Sequence, residues 1–267
     1  MSFDLHRGSS PLLVSMPHVG TEIPADLRER YLPRALAVED ADWHLHQLYD
    51  WLPALGSSVL RPRYARYVID LNRPPDDAPM YPGASNTELC PTRFFDGTPL
   101  YRPGQEPGPE ERLRRRAGYW QPYHDALAAE LDRIRGEHGY VLLWDAHSIR
   151  SVIPWLFEGR LPDLNIGTAG GTAADPSVGE AVRTAAAAAA GAFTHALNGR
   201  FKGGYITRRY GAPQRQVQAV QLEMCQCTYM SETAPFGYDE AAARRVQPVV
   251  RSMMEAAIGA CRALYGR

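Results

Sequence analysis

Two histidines, an Asn-Arg pair and one glutamate stand just past short apolar runs in this chain. Leu12 to Met16 (LLVSM) leads into Pro17-His18, and Tyr64 to Asp70 into Leu71-Asn72-Arg73. Tyr140 to Trp144 (YVLLW) leads into Asp145-Ala146-His147-Ser148, and Val217 to Leu222 into Glu223. Two His, a carboxylate and one open position make the ligand set of a hydrolytic zinc centre. Such an ion lowers the pKa of its water toward ~7 and polarises a carbonyl, which amide hydrolysis needs near neutrality. A carboxylate outside the ligand set, here Glu223, would take the water's proton and pass it to the leaving amine. An Arg fork matches a carboxylate with two parallel hydrogen bonds, so Arg73 beside Asn72 points to a carboxylate-bearing substrate. Singly, each residue has a plain structural reading: a structural histidine, an arginine paired to Asp76 or Asp77, a surface-facing strand glutamate. Their joint occurrence at successive strand ends points to a site, because open α/β sheets bind ligands at the carboxyl ends of strands.

The elements that must position these groups alternate along the chain. Strands are expected at 12–16, 57–60, 64–70, 140–144 and 217–222. A helix is expected over 40–51, where Leu45, Leu48, Trp51 and Leu52 recur at helical spacing. From Pro109 a longer helix carries Trp120, Tyr123, Leu127, Leu131 and Ile134, with Pro122 predicted to kink it and Gly136 to end it. Asp175-Pro176 starts an Ala-rich helix reaching Leu197, and Asp239 to Leu264 forms a last one, broken near Pro248. Alternating strands and helices imply an α/β sheet covered on both faces. The Pro- and Gly-rich stretch at 74–109 reads as a long excursion with a binding or lid role within a single domain, 1–267.

Composition narrows the function classes. A net charge of -1 gives no basic field, so nucleic acid is not an expected partner. Four cysteines in 267 residues make no disulfide framework. The start of the chain lacks a secretory apolar stretch, and no run approaches the ~20 apolar residues of a membrane span, so a soluble cytoplasmic protein is expected. No heptad seam indicates an oligomeric state. Gly167 to Thr172 reads as a flexible loop rather than a phosphate cradle, because no Lys follows and no strand clearly precedes it. Cys225 and Cys227 are expected to share Glu223's strand face as packing residues.

Seven blocks in order carry a family resemblance. They are Ser15 to Pro24 (SMPHVGTEIP), Asp40 to His44 (DADWH), Arg66 to Pro74 (RYVIDLNRP) and Asp145 to Ser148 (DAHS). Leu156 to Asn165 (LFEGRLPDLN), Gly203 to Arg208 (GGYITR) and Gln221 to Met224 (QLEM) follow. Together they resemble the N-formylglutamate amidohydrolase family across nearly the whole chain, most closely its histidine-degradation branch. The resemblance implies a three-layer α/β/α fold with a mixed, largely parallel sheet, like that of the zinc carboxypeptidases and, more distantly, aspartoacylase. It implies Zn2+, or another divalent ion such as cobalt, and hydrolysis of the small molecule N-formyl-L-glutamate to formate and L-glutamate. His18 and His147 match the family's metal ligands, Glu223 its base, and Asn72 with Arg73 its carboxylate clamp.

The third ligand is open between two residues. The carboxypeptidase pattern places a Glu three positions after the first His, where this chain has Thr21. Asp42 is preferred and Glu22 is the alternative. If Asp42 and His46 share a helical face, His46 orients Asp42, whereas His44 and His46 face apart. Arg66 or Arg208 would hold a second carboxylate. Three rivals stand beside this reading: a deacylase of another N-acylamino acid such as acetylaspartate, a non-catalytic amino-acid binder of the same fold, and a thiol protein built on Cys225 and Cys227.

Overall fold

A computed structural model describes residues 2–80, 86–189 and 191–266. Residues 81–85 of the expected excursion and residue 190 of the Ala-rich segment lie outside the described residues. Seven strands build one sheet: β1 (Phe3–His6), β2 (Leu12–Ser15), β3 (Ser58–Pro62), β4 (Val141–Ile149), β5 (Leu164–Gly167), β6 (His195–Leu197) and β7 (Val217–Cys225). Their order is β1-β3-β2-β4-β7-β5-β6. The inner strands β3, β2, β4 and β7 run parallel. β1 is an antiparallel edge on β3, and the β5-β6 pair joins β7 antiparallel, so the sheet is mixed but parallel at its centre.

The reason for a doubly covered sheet lies in β4 and β7. All nine residues of each are buried, so neither face of these strands can meet water. On one face Leu142, Trp144, Val220 and Leu222 pack against α5 (Pro176–Ala187) and α7 (Glu240–Tyr265) through Val178, Val182, Val250 and Met253. On the other, Leu13, Leu143 and Ala219 meet Leu127, Leu131 and Ile134 of the helix at Gln121–His138. The remaining helices are short or peripheral: α1 (Ala25–Arg28), α2 (Leu45–Leu48), α3 (Pro109–Arg115) and α6 (Tyr205–Tyr210), with Gln121–His138 as α4. The result is the three-layer α/β/α arrangement.

Several local expectations are corrected. No strand forms at 64–70; β3 ends at Pro62 and the chain turns, with Val68 N donating to Ala65 O. That segment is apolar because Tyr67 and Val68 pack with Tyr31, Phe94 and Tyr101 in a separate cluster, not because it joins the sheet. Of the helix expected over 40–51 only α2 forms, and a 3-10 turn at Leu52–Leu55 follows it. His44, at φ 60, stops any helix from running back through Asp42. α3 continues through a π turn (Arg116–Trp120) into α4, so Pro122 falls where that wide turn already relaxes the ladder. α4 passes Gly136 and ends at Gly139, whose φ of 79 suits a helix terminus. α5 stops at Ala187, and 195–197 form β6 instead of helix. α7 runs unbroken past Pro248. β5 precedes Gly167 to Thr172, where no strand was expected.

Leu142, fully buried at the centre of this sheet, gives a stability prediction. Leu142→Ala is expected to lower unfolding free energy by about 2–5 kcal/mol, read from urea denaturation. A loss below ~1 kcal/mol would place the main core elsewhere.

Candidate active site

The site begins with a carboxylate that has no choice but to accept. Asp70 is buried, which by itself would raise its carboxyl, but Arg66 and His18 hold it well below the usual range. Arg66 Nη2 donates to Asp70 Oδ2 at 2.6 Å, and Asn72 N donates to Oδ1 at 2.9 Å. His18 Nε2 stands 2.7 Å from the same Oδ1. An ionised carboxylate cannot donate, so the proton of that bond sits on His18 Nε2 and Nδ1 carries the free lone pair. Burial and the Arg66 charge lower the His18 pKa, favouring this neutral form.

His147, on β4, also stands beside a carboxylate, but at ion-pair distance without a hydrogen bond to it. Its Nε2 lies 3.1 Å from Asp145 Oδ1, while Thr207 donates to Asp145 Oδ2 at 3.0 Å. Asn72 steadies the same edge: its Oδ1 accepts from Ile206 N at 2.8 Å and its Nδ2 lies 3.1 Å from His147 Nε2. Gly204 is required beside it, since a Cβ there would meet Asn72 Nδ2 at 2.1 Å. Each histidine thus has a carboxylate behind one ring nitrogen and turns Nδ1 inward.

The inward atoms converge. His18 Nδ1 and His147 Nδ1 are 3.2 Å apart, and Asp42 Oδ2 lies 3.5 Å from His147 Nδ1 and 3.9 Å from His18 Nδ1. Ligand atoms sharing one ion at roughly 2.0–2.2 Å stand roughly 3–4 Å apart, so these separations fit a common metal. Asp42 Oδ2 also accepts from Ser148 N at 3.0 Å, and its Oδ1 is buried with no hydrogen-bond partner. An orphaned, buried carboxylate oxygen among acidic groups is what a divalent cation would satisfy. The buried His18, Asp42 and His147 can therefore hold a metal ion.

Glu223 stands beside this cluster because β4 and β7 pair His147 with Glu223 in register. Gln221, two residues back on the same strand face, donates Nε2 to Glu223 Oε2 at 3.3 Å. Its orientation is set by Gly204 N, which donates to Gln221 Oε1 at 2.6 Å. Burial pushes the Glu223 carboxyl up, to about 8, against the pull of the His147 charge. A cavity opens over these groups, walled by Arg66, Asn72, Arg73, Arg200 and the apolar Phe95, Ile149, Leu156 and Phe201. Arg73 is pinned from behind: Nε donates to Thr87 O, Nη2 to Thr87 Oγ1 and Nη1 to Asn72 O. A guanidinium has five N–H groups; three are engaged here, which leaves two for a ligand.

The model of the N-formylglutamate amidohydrolase family matches residues 10–230. The chain belongs to that family. N-formylglutamate deformylase of Pseudomonas aeruginosa is 51% identical over 259 residues, covering 97% of each chain. N-formylglutamate deformylase of Pseudomonas putida is 50% identical over 251 residues, 94% of this chain and 93% of that one. The crystal structure of N-formylglutamate amidohydrolase from Ralstonia eutropha superposes at a TM-score of 0.82 with 23% identity, over 98% and 99% of the two chains. A gene product from Agrobacterium tumefaciens follows at 0.72 with 19% identity, over 97% and 95%. These two structures share this amidohydrolase's fold.

Within the family's fold, the expected groups divide. His18, Asp42, His147 and Glu223 gather in one buried pocket, with Arg66, Asn72 and Arg73 on the cavity wall. Glu22 does not join them: its side chain is 49% exposed and accepts from Arg63 Nε at 2.8 Å. His46 is exposed and does not orient Asp42, because Asp42 lies outside α2. Arg208 is not among the wall residues of the cavity and donates Nε to Gly203 O at 2.8 Å. Cys227 leaves Glu223's strand face, since β7 ends at Cys225 and a 3-10 turn follows. Asp70, Gln221 and Arg200 carried no expectation. Asp70 and Gln221 sit inside quoted blocks, so their even spacing from Asn72 and Glu223 was a usable signal. Arg200 follows Asn198-Gly199 with no pattern around it.

Asp70→Asn removes the negative charge behind His18 while keeping the side chain's shape. We expect metal affinity to fall about 10- to 100-fold, measured by competition with a chromophoric chelator on protein shown to be folded by circular dichroism. Unchanged affinity would remove Asp70 from that role.

Proposed function

We propose that this amidohydrolase cleaves N-formyl-L-glutamate to formate and L-glutamate with a zinc ion held by His18, Asp42 and His147. The observation that carries the reading is one buried pocket in which two carboxylate-backed histidines, Asp42 and Glu223 converge beneath an arginine-lined cavity. Deformylases about half identical over nearly the whole chain support the substrate. A divalent ion in that triad supplies a Lewis acid for the formyl oxygen and lowers the pKa of water.

The rest of the chemistry falls to the chain. Glu223, kept from bulk water and held at Oε2 by Gln221, accepts the proton of the attacking water. It then delivers that proton to the departing nitrogen, so the C–N bond breaks to a neutral amine and neither an amide anion nor free hydroxide has to form. A carboxyl that burial raises is suited to returning a proton near neutrality, and a cation in the triad pulls it back toward the ionised form. Arg73 presents its two remaining N–H groups to a substrate carboxylate, with Thr87 and Asn72 fixing the fork. Phe95 and Ile149 give the wall of the cavity its apolar surface beside these groups. The family resemblance supports a place in histidine degradation in the cytoplasm.

Formate release from N-formyl-L-glutamate should disappear on chelation and return with added zinc. Glu223→Gln should cut kcat about 10²- to 10⁴-fold while zinc content, read by atomic absorption, is retained. No release from zinc-loaded wild type overturns the substrate, and a panel exchanging formyl for acetyl and glutamate for aspartate then identifies it. Arg73→Ala should lower kcat/KM by about 10- to 150-fold, as expected for losing a charged hydrogen-bonding pair. An intact kcat/KM would show that Arg73 does not hold the substrate.

A further inference from the structure

N-formyl-L-glutamate carries two carboxylates, and among the described residues three arginines line the cavity, so charge alone does not assign them. Arg66 is the least suited. It is buried, it donates to Asp70 Oδ2 at 2.6 Å, and its guanidinium lies 4.7 Å from the Phe95 ring centroid. Its charge is matched by a carboxylate whose other oxygen anchors His18, so drawing Arg66 away would loosen the histidine. Arg73 is fixed by Thr87 and Asn72 and serves one carboxylate. Arg208, the other residue the sequence suggested, is absent from the cavity wall.

Arg200 reaches the cavity from a different segment, the turn after β6. Its Nη2 donates to Leu156 O at 3.0 Å, and its guanidinium lies 5.3 Å from the Phe201 centroid. Leu156 and Phe201 line the same cavity and belong to an apolar cluster with Phe95, Ile149 and Phe157. This combination suits a side chain of two methylenes ending in a charge. The apolar surface covers the methylenes, and a guanidinium held by a backbone carbonyl and an aromatic ring stands with them at the wall. A planar fork held in this way loses little freedom on binding a carboxylate.

We infer that Arg200 is the specificity-determining residue that receives the side-chain carboxylate of the acyl-amino acid, leaving Arg73 for the other. This deepens the proposed deformylase reading and rests on it. Arg200 meets the cavity beside Leu156 and Phe201, so its effect should depend on the substrate's side chain rather than on the reaction step. It selects glutamate over neutral side chains of the same length.

The test compares kcat/KM for N-formyl-L-glutamate, N-formyl-L-glutamine and N-formyl-L-norvaline in zinc-loaded wild type, Arg200→Gln and Arg200→Lys. The expected result is a fall of about 10- to 100-fold in the glutamate-to-glutamine and glutamate-to-norvaline ratios for Arg200→Gln. Arg200→Lys should recover part of both ratios, because it restores the charge without the fork. A wild-type enzyme that prefers formylglutamate, with ratios unchanged in Arg200→Gln, overturns the assignment and leaves the activity standing. Wild type that releases formate from none of the three overturns the activity itself, a separate outcome visible before any variant is made.

Discussion

The structure is organised around buried negative charge. Asp42, Asp70, Asp145 and Glu223 all lie out of water within one small region, with Arg66 buried among them and two histidines between. Carboxylates in such a place are costly unless each oxygen finds a donor or a cation. Asp70 is satisfied by His18, Arg66 and Asn72 N and in being satisfied aims His18, while Asp145 accepts from Thr207 at Oδ2 and leaves Oδ1, 3.1 Å from His147 Nε2, without a hydrogen bond. Asp42 keeps one oxygen without a partner. Its other oxygen, Oδ2, stands 3.5 Å from His147 Nδ1 and 3.9 Å from His18 Nδ1, so the three residues can hold a metal ion.

Holding these charges in position requires two kinds of scaffold. β4 and β7 provide the rigid one, pairing residue for residue over nine positions so that His147 and Glu223 sit side by side. The loop through 66–73 is the opposite case: it has no ladder, and several of its carbonyls accept from side chains. Tyr31 donates to Tyr67 O at 2.8 Å, Arg115 to Val68 O at 3.0 Å, and Trp120 Nε1 to Arg73 O at 3.0 Å. His124 Nε2 lies 2.9 Å from Leu71 O. Burial holds His124 down, to about 4, so it stays neutral there. α3, the π turn and α4 thus act as a splint for a non-regular segment, and that splint lets Arg66, Asp70, Asn72 and Arg73 share a short stretch of chain yet serve different partners.

Reading strands by their apolar runs worked where burial and apolarity coincide, as at Leu12 to Ser15 and Val141 to Trp144. It stopped β4 and β7 too early, because Asp145, His147 and Glu223 are polar yet buried within the ladder. Polar groups end a strand only when they seek water, and here each has a protein partner. The same rule misread Tyr64 to Asp70 as a strand, since a loop that packs aromatic rings into its own cluster is as apolar as a sheet. Helix boundaries failed at Pro122 and Pro248 for a related reason. A π turn or an existing long helix tolerates a proline that a local rule would treat as a break.

The amino-acid sequence by itself determined the α/β class and the family, and it singled out the residues whose types suit binding a metal, moving a proton and gripping a carboxylate. These follow from residue type and short-range spacing, which the chain carries in linear form. Only the tertiary structure separated Asp42 from Glu22, set Glu223 beside His147, backed each histidine with a carboxylate and brought Arg200 to the cavity. Those relations join positions tens to more than a hundred residues apart, as in Asp42 to Ser148 across 106 positions. They depend on which atoms remain unsatisfied after the core has packed, a quantity that local sequence does not contain.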